Sequence, residues 1–182
     1  MKLTTLAWST AATVATAAAG GAATDPNSSW YLRLRKPGWQ PPAIAFPVVW
    51  TALYADLAVS SAVALDSAAT KDVAAGRDST AAGTTSTNSK GNRPEVRAYQ
   101  GALAANLVLN ATWSWLFWRS RRPWLAAAEA ALLAASSADL VRRTYRLNPP
   151  AGAALGPYAA WCGFATVLSA SIARLNSGSG RR

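Results

Sequence analysis

The chain has 182 residues, of which 51% are hydrophobic, 9 are Trp and none is His, and its 18 Lys and Arg outnumber 8 Asp and Glu to give a formal net charge of +10. Without His there is no Ser-His-Asp triad, no imidazole acid–base chemistry and no His-ligated zinc or haem iron, and a single Cys, Cys162, excludes an internal disulfide and a multi-Cys metal cluster. Mean hydropathy is +0.09, the value of a soluble protein, but the apolar residues are bunched rather than spread.

Five blocks nearly free of charge, over about 3–23, 46–65, 98–118, 123–140 and 155–173, approach the roughly 20 residues of a bilayer crossing. The first follows Lys2 and ends in small residues, as a secretory signal peptide does. Its length and its Ala- and Thr-rich composition without a leucine core favour a retained helix. From Trp30 to Tyr54, Pro37, Pro41, Pro42 and Pro47 forbid a regular helix through the first half and predict a stiff, extended connector. Pro47 suits the first turn of the helix that follows, and Trp30, Trp39 and Trp50 suit headgroup depth. The second block carries only Asp56. Residues 66–94, rich in Ser, Thr, Gly and Asn, read as a flexible solvated loop.

The third block is apolar or aromatic on every face, with Asn106 and Asn110 its strongest polar residues, which argues against a soluble bundle. Asn106, Asn110, Trp113 and Phe117 are spaced to share one face. The fourth block carries Glu129, an intramembrane carboxylate and so a functional candidate, and Asp139, which Arg142 and Arg143 follow closely enough to pair with it. In the fifth, Tyr158, Trp161, Ala165 and Leu168 share a face, and residues 177–182 form a polar tail. The fold class that follows is an all-α membrane protein, a bundle of five transmembrane helices.

With five crossings the basic residues divide nine against nine between the two sides, so the positive-inside rule gives no orientation. Their excess suits anionic headgroups of the lipid bilayer; scattered over helix ends instead of forming one stripe, they do not suit a nucleic acid. Asn in hydrocarbon is costly unless it meets another helix or lines a cavity, so Asn106 and Asn110 are expected to point inward. Trp and Tyr faces beside them suit stacking on a conjugated ring, although the same residues also serve as packing glue and core filler. Gly101 and Ala105 form a small-xxx-small pair that permits close approach of another helix.

These motifs together resemble the tryptophan-rich sensory protein and translocator protein family, also called the peripheral-type benzodiazepine receptor family. The resemblance rests on Gly20-Gly21, then Trp30-Tyr31, Leu34, Lys36-Pro37, Trp39, Pro41-Pro42, Phe46, Trp50 and Leu53-Tyr54. It continues through Asn110, Trp113 and Phe117 to Pro157-Tyr158, Trp161, Phe164-Ala165, Leu168 and Asn176, in the family's order. It implies five helices around a cavity covered by the loop between the first two. It also implies binding of porphyrins and other tetrapyrroles, sterols and benzodiazepine-type ligands, and a homodimer whose contact matches Gly101 and Ala105. By position, Trp50, Tyr54, Asn110, Trp113, Trp161, Ala165 and Leu168 match cavity-lining residues, and Glu129 stands where relatives carry an acid. Trp39 in the covering loop, Asn106 and Tyr158 complete the candidate set.

The chain departs from the family pattern at Asn106, where a Gln is usual, and at Ser169, where an Asn is. Ala170 replaces the Tyr of the sterol-recognition pattern, leaving only Arg174, which puts cholesterol binding in doubt. The expected function is that of an integral membrane protein binding porphyrin or haem as ligand, with no resident cofactor or metal, as a stress-linked sensor, scavenger or transporter. The expected location is a bacterial cell membrane, or an organellar one in a eukaryote. Arg33, Arg35 and Lys36 suit either the propionates of such a ligand or lipid headgroups. The alternative is an enzyme-like degradation of porphyrin by light and oxygen, in which Trp50 and Trp161 would act as redox-active neighbours. No acid–base or nucleophilic constellation supports ordinary turnover.

Overall fold

The computed structural model describes residues 2–81 and 92–177, with side chains placed for 2–71 and 94–177. The described residues hold no strand. In order they form α1 (Leu3–Ala23), α2 (Ser29–Arg33), α3 (Ala45–Ala81), α4 (Asn92–Ser114), α5 (Pro123–Leu147), α6 (Pro149–Ala154) and α7 (Gly156–Asn176), and α4 runs on into a π-helical turn, Trp115–Arg119. Local signals account for several boundaries. Pro123 opens α5, where its missing N–H costs nothing. Asn148 caps α6 by accepting from the Ala151 N–H at 3.0 Å, and Ser28 caps α2 by accepting from the Tyr31 N–H at 3.4 Å.

Five boundaries differ from those expected, and one of them is the start of α4, at Asn92 instead of 98. Ser29–Arg33 is helical within the stretch read as an extended connector, because it precedes Pro37 and has Ser28 as its cap. Helix α3 continues past residue 65 to Ala81: the polar residues there are interleaved with Ala, which has the highest helix propensity. Lys71 Nζ also donates to Leu147 O at 3.1 Å, tying this extension to the end of α5. Residues 82–91 of the expected loop, and 178–182 of the tail, lie outside the described residues. Helix α5 runs to Leu147 rather than 140, since Asp139 accepts from Arg142 at 2.7 Å and Arg143 at 2.5 Å along one helical face. Helix α7 is preceded by the separate turn α6 and reaches Asn176.

The five long helices alternate in direction. Early α1 meets late α3: the Lys2 N–H and the Thr5 hydroxyl donate to Asp66, the latter at 2.8 Å, and Ser9 Oγ donates to Ala58 O at 2.9 Å. Helices α4 and α5 run antiparallel, with Thr144 Oγ1 3.2 Å from Tyr99 Oη. The Tyr99 hydroxyl in turn donates to Ser61 Oγ on α3 at 3.0 Å. Helix α5 packs along both α4 and α7, and the core between them is built from Leu53, Leu57, Leu103, Leu133, Leu140 and Leu155.

Among the described residues, three segments are long and apolar enough to cross a membrane by length and composition: Ala45–Lys71, Pro123–Leu147 and Pro149–Asn176. Helices α1 and α4 owe their lower hydropathy partly to residues the bundle buries. Ser9, Thr13 and Thr16 on α1, and Asn106 and Asn110 on α4, are all turned inward.

Candidate ligand cavity

Held together at one end by Asp66, α1 and α3 enclose at the other a cavity of about 500 Å³, within the roughly 300–1,000 Å³ typical of small-molecule sites. Its back is made by α1 and α4. A side chain on Gly20 would bring its Cβ to 3.1 Å from Ser114 Oγ, so glycine lets the two helices approach closely there. Trp113, Phe117 and Trp118 project from the end of α4. The π-helical turn, closed by the Ser120 N–H on Trp115 O at 3.0 Å, accommodates an extra residue per turn and brings both Phe117 and Trp118 to the cavity. Trp113 and Phe117 stack with centroids 5.4 Å apart and planes at 17°, and the Trp113 indole N–H donates to Ser169 Oγ on α7 at 3.3 Å.

The inner end is polar and ordered. Tyr54 Oη donates to Asn110 Oδ1 at 2.5 Å, Asn110 Nδ2 donates to Tyr158 Oη at 3.1 Å, and Tyr158 Oη donates to Asn106 Oδ1 at 2.6 Å. Asn106 Nδ2 then donates to Ser137 Oγ at 3.0 Å and Ser136 Oγ at 3.2 Å. The run joins α3, α4, α7 and α5. It satisfies amides that would otherwise be costly in hydrocarbon, and Asn110 and Tyr54 bring it to the cavity wall.

The roof comes from α2 and the segment after it. Tyr31 packs on Trp118 with centroids 4.6 Å apart and accepts from Gln40 Nε2 at 3.3 Å. Gln40 Oε1 is buried and has no hydrogen-bond partner among the described residues. The roof is fastened to α7: the Arg35 N–H donates to Asn176 Oδ1 at 3.0 Å, and Asn176 Nδ2 donates back to Arg35 O at 2.9 Å. Among the described lining residues none is Asp, Glu, Lys or Arg.

Of the candidates read from sequence, Trp50, Tyr54, Asn110, Trp113 and Leu168 line this cavity. Asn106 and Tyr158 lie behind its inner end, fully buried in the hydrogen-bonded run. Trp161 stacks on Phe164 and makes a T-shaped contact with Phe46, and of these three Phe46 lines the cavity while Trp161 does not. Ala165 and Trp39 are outside the lining, and Trp39 is an exposed ring packed edge-on against Phe164. Glu129 is buried on α5, away from the wall, with neither carboxylate oxygen hydrogen-bonded among the described residues. Gly101 and Ala105 are exposed on the outer face of α4.

The sequence-based candidates omitted Tyr31, Gln40, Phe46, Phe117, Trp118 and Ser169, all of which line the cavity. Tyr31, Phe46 and Phe117 carried a signal, as members of the motifs that bear the family resemblance. Gln40 carried none, because a proline-rich segment has no periodicity from which to read an inward face.

Residues 8–175 match the TspO/MBR family. The chain is 29% identical over 159 residues to the tryptophan-rich protein TspO of Chlorobaculum tepidum, covering 87% of each chain. It is 30% identical over 156 residues to the tryptophan-rich sensory protein of Cereibacter sphaeroides, covering 86% of this chain and 82% of that one. The translocator protein of Ovis aries is 28% identical over 155 residues, 84% of this chain and 79% of its own. An all-α membrane protein with this aromatic cavity and a match over nearly its whole length, the chain belongs to the TspO/MBR family.

Proposed function

We propose that the protein is a membrane receptor for a flat, conjugated, largely apolar ligand of the tetrapyrrole class, held in the cavity between α1, α3, α4 and α7. The observation that carries this reading is the lining itself. The aromatic side chains of Trp50, Trp113, Phe117 and Trp118 line a space without charged side chains among the described lining residues, and Asn110 and Tyr54 supply polar groups at one end. Aromatic faces suit a conjugated ring, and a few placed polar groups orient it. Tyr31 and Tyr54 are the lining residues with an oxygen of the kind that ligates haem iron, and both are engaged in hydrogen bonds. The ring is therefore gripped by its faces, whether or not it carries a metal. A sterol is less well matched, since its saturated rings have no π-face to stack.

Relatives named sensory and translocator proteins support a role in sensing or moving such a ligand. The protein works as a homodimer in this reading, through the exposed small residues Gly101 and Ala105 on α4. A second reading, light-dependent breakdown of the ligand, draws on Trp50 in the wall and on Trp161, which packs against the lining residue Phe46. Protoporphyrin titrated into the purified protein tests binding directly. Saturable quenching of Trp fluorescence, weakened in Trp50→Phe, is expected. Quenching that is unsaturable, or unchanged in Trp50→Phe and Trp113→Phe alike, would refute the site. Under illumination, loss of product in the Trp50→Phe and Trp161→Phe double variant would be required by the second reading.

A further inference from the structure

A cavity whose described lining residues carry no charge cannot bury a carboxylate without a large desolvation cost. A tetrapyrrole with acidic side chains must therefore leave them at the mouth, where a cation has to meet them. The covering segment offers Arg33, Arg35 and Lys36, and the structure separates them. Arg33 and Arg35 are exposed, whereas Lys36 is half-buried, with its ammonium 3.9 Å from the centroid of the Tyr31 ring. Tyr31 is itself a lining residue, fixed by Trp118 and by the Gln40 amide. Lys36 is thus held over the face of a ring that lines the cavity, an arrangement that keeps a flexible side chain in place. Among the described residues Lys36 pairs with no carboxylate, whereas Asp139 is paired with Arg142 and Arg143.

We propose that Lys36 is the specificity-determining residue for acidic ligands of this cavity, binding a ligand carboxylate at the mouth while the ring system lies inside. The proposal rests on the cavity reading above and adds to it a preference set by charge. A compact ammonium anchored on Tyr31 gives one carboxylate a fixed partner; the exposed Arg33 and Arg35 have no such anchor and serve the headgroup region.

The test compares protoporphyrin IX with its dimethyl ester, which keeps the ring and removes both negative charges. Each is titrated into the full-length protein in detergent micelles, using wild type, Lys36→Gln, Lys36→Arg and Arg33→Gln. The free acid should bind about fivefold more weakly to Lys36→Gln, the ester should bind that variant as it binds wild type, Lys36→Arg should recover most of the loss, and Arg33→Gln should change neither. An unchanged acid affinity in Lys36→Gln, or an equal loss for acid and ester, would overturn the assignment while leaving the cavity reading intact. The second of those outcomes would make Lys36 a support for Tyr31 only. If wild type binds neither form, the cavity reading fails and this one fails with it.

Discussion

Asn176, the last residue of α7, grips the backbone of Arg35 through both atoms of its amide, accepting from the Arg35 N–H at 3.0 Å and donating to its carbonyl at 2.9 Å. The two residues are 141 positions apart in the chain, so this clasp joins the covering segment to the far end of the bundle. Among the described residues no other hydrogen bond links that segment to α7. An exposed pair of bonds of this kind adds little to global stability but governs how readily the roof lifts.

Asn176→Ala is therefore expected to raise the ligand dissociation rate about threefold to tenfold, from the roughly 0.5–1.5 kcal/mol of a single hydrogen bond, while leaving the melting temperature nearly unchanged. Stopped-flow fluorescence after dilution of the loaded protein reads the rate. A melting temperature that falls while the rate stays constant would assign Asn176 to the bundle instead of the roof.

Tyr158→Phe should act in the opposite way. Its hydroxyl is fully buried, accepts from Asn110 and donates to Asn106, so removal strands two amide groups at the meeting of α4 and α7. The expected loss is about 1–2 kcal/mol, visible as a lower melting temperature in detergent. Tyr54→Phe, which strands only Asn110 Oδ1 beside the cavity, should destabilise less and affect ligand affinity more.

The extent to which this site was legible in the sequence follows from what periodicity can encode. The spacing of Asn110, Trp113 and Phe117 placed all three on one inward face of α4, and the structure puts all three in the wall. Periodicity gives a direction but no depth. Asn106 and Tyr158 point inward as expected, yet they lie below the cavity, because α1 and α3 part only near one end of the bundle. Trp161 shares a helical face with Leu168 but lies outside the lining, against Phe46. Trp118 depends on the π-helical turn, which shifts register by an amount that a 3.6-residue repeat does not contain. In the proline-rich roof, Trp39 was the conspicuous residue, whereas its neighbour Gln40 is the one that turns in.

Two glycines make a contrast in packing. A Cβ on Gly152 in α6 would fall on the backbone N and Cα of Tyr145 in α5, whereas one on Gly101 would meet nothing within 4 Å. Gly152→Ala should cost at least the about 1–3 kcal/mol of core overpacking and reduce the yield of folded protein. Gly101→Leu should fold normally and, if the proposed dimer forms through this face, shift it to monomer in light-scattering measurements by spoiling close helix approach. A dimer unaffected by both Gly101→Leu and Ala105→Leu would move the interface elsewhere.

Filling the space between α1 and α3 tests most directly whether ligand binds there. Gly21 lines that space from α1, where a Cβ would meet nothing within 4 Å, and Thr51 lines it from α3. Protoporphyrin titrations of Gly21→Phe and Thr51→Phe, each verified by an unchanged melting temperature, should show saturable tryptophan quenching reduced at least about tenfold in affinity, the scale of a lost well-filled apolar contact. Wild-type affinity in both folded variants would contradict binding in this cavity.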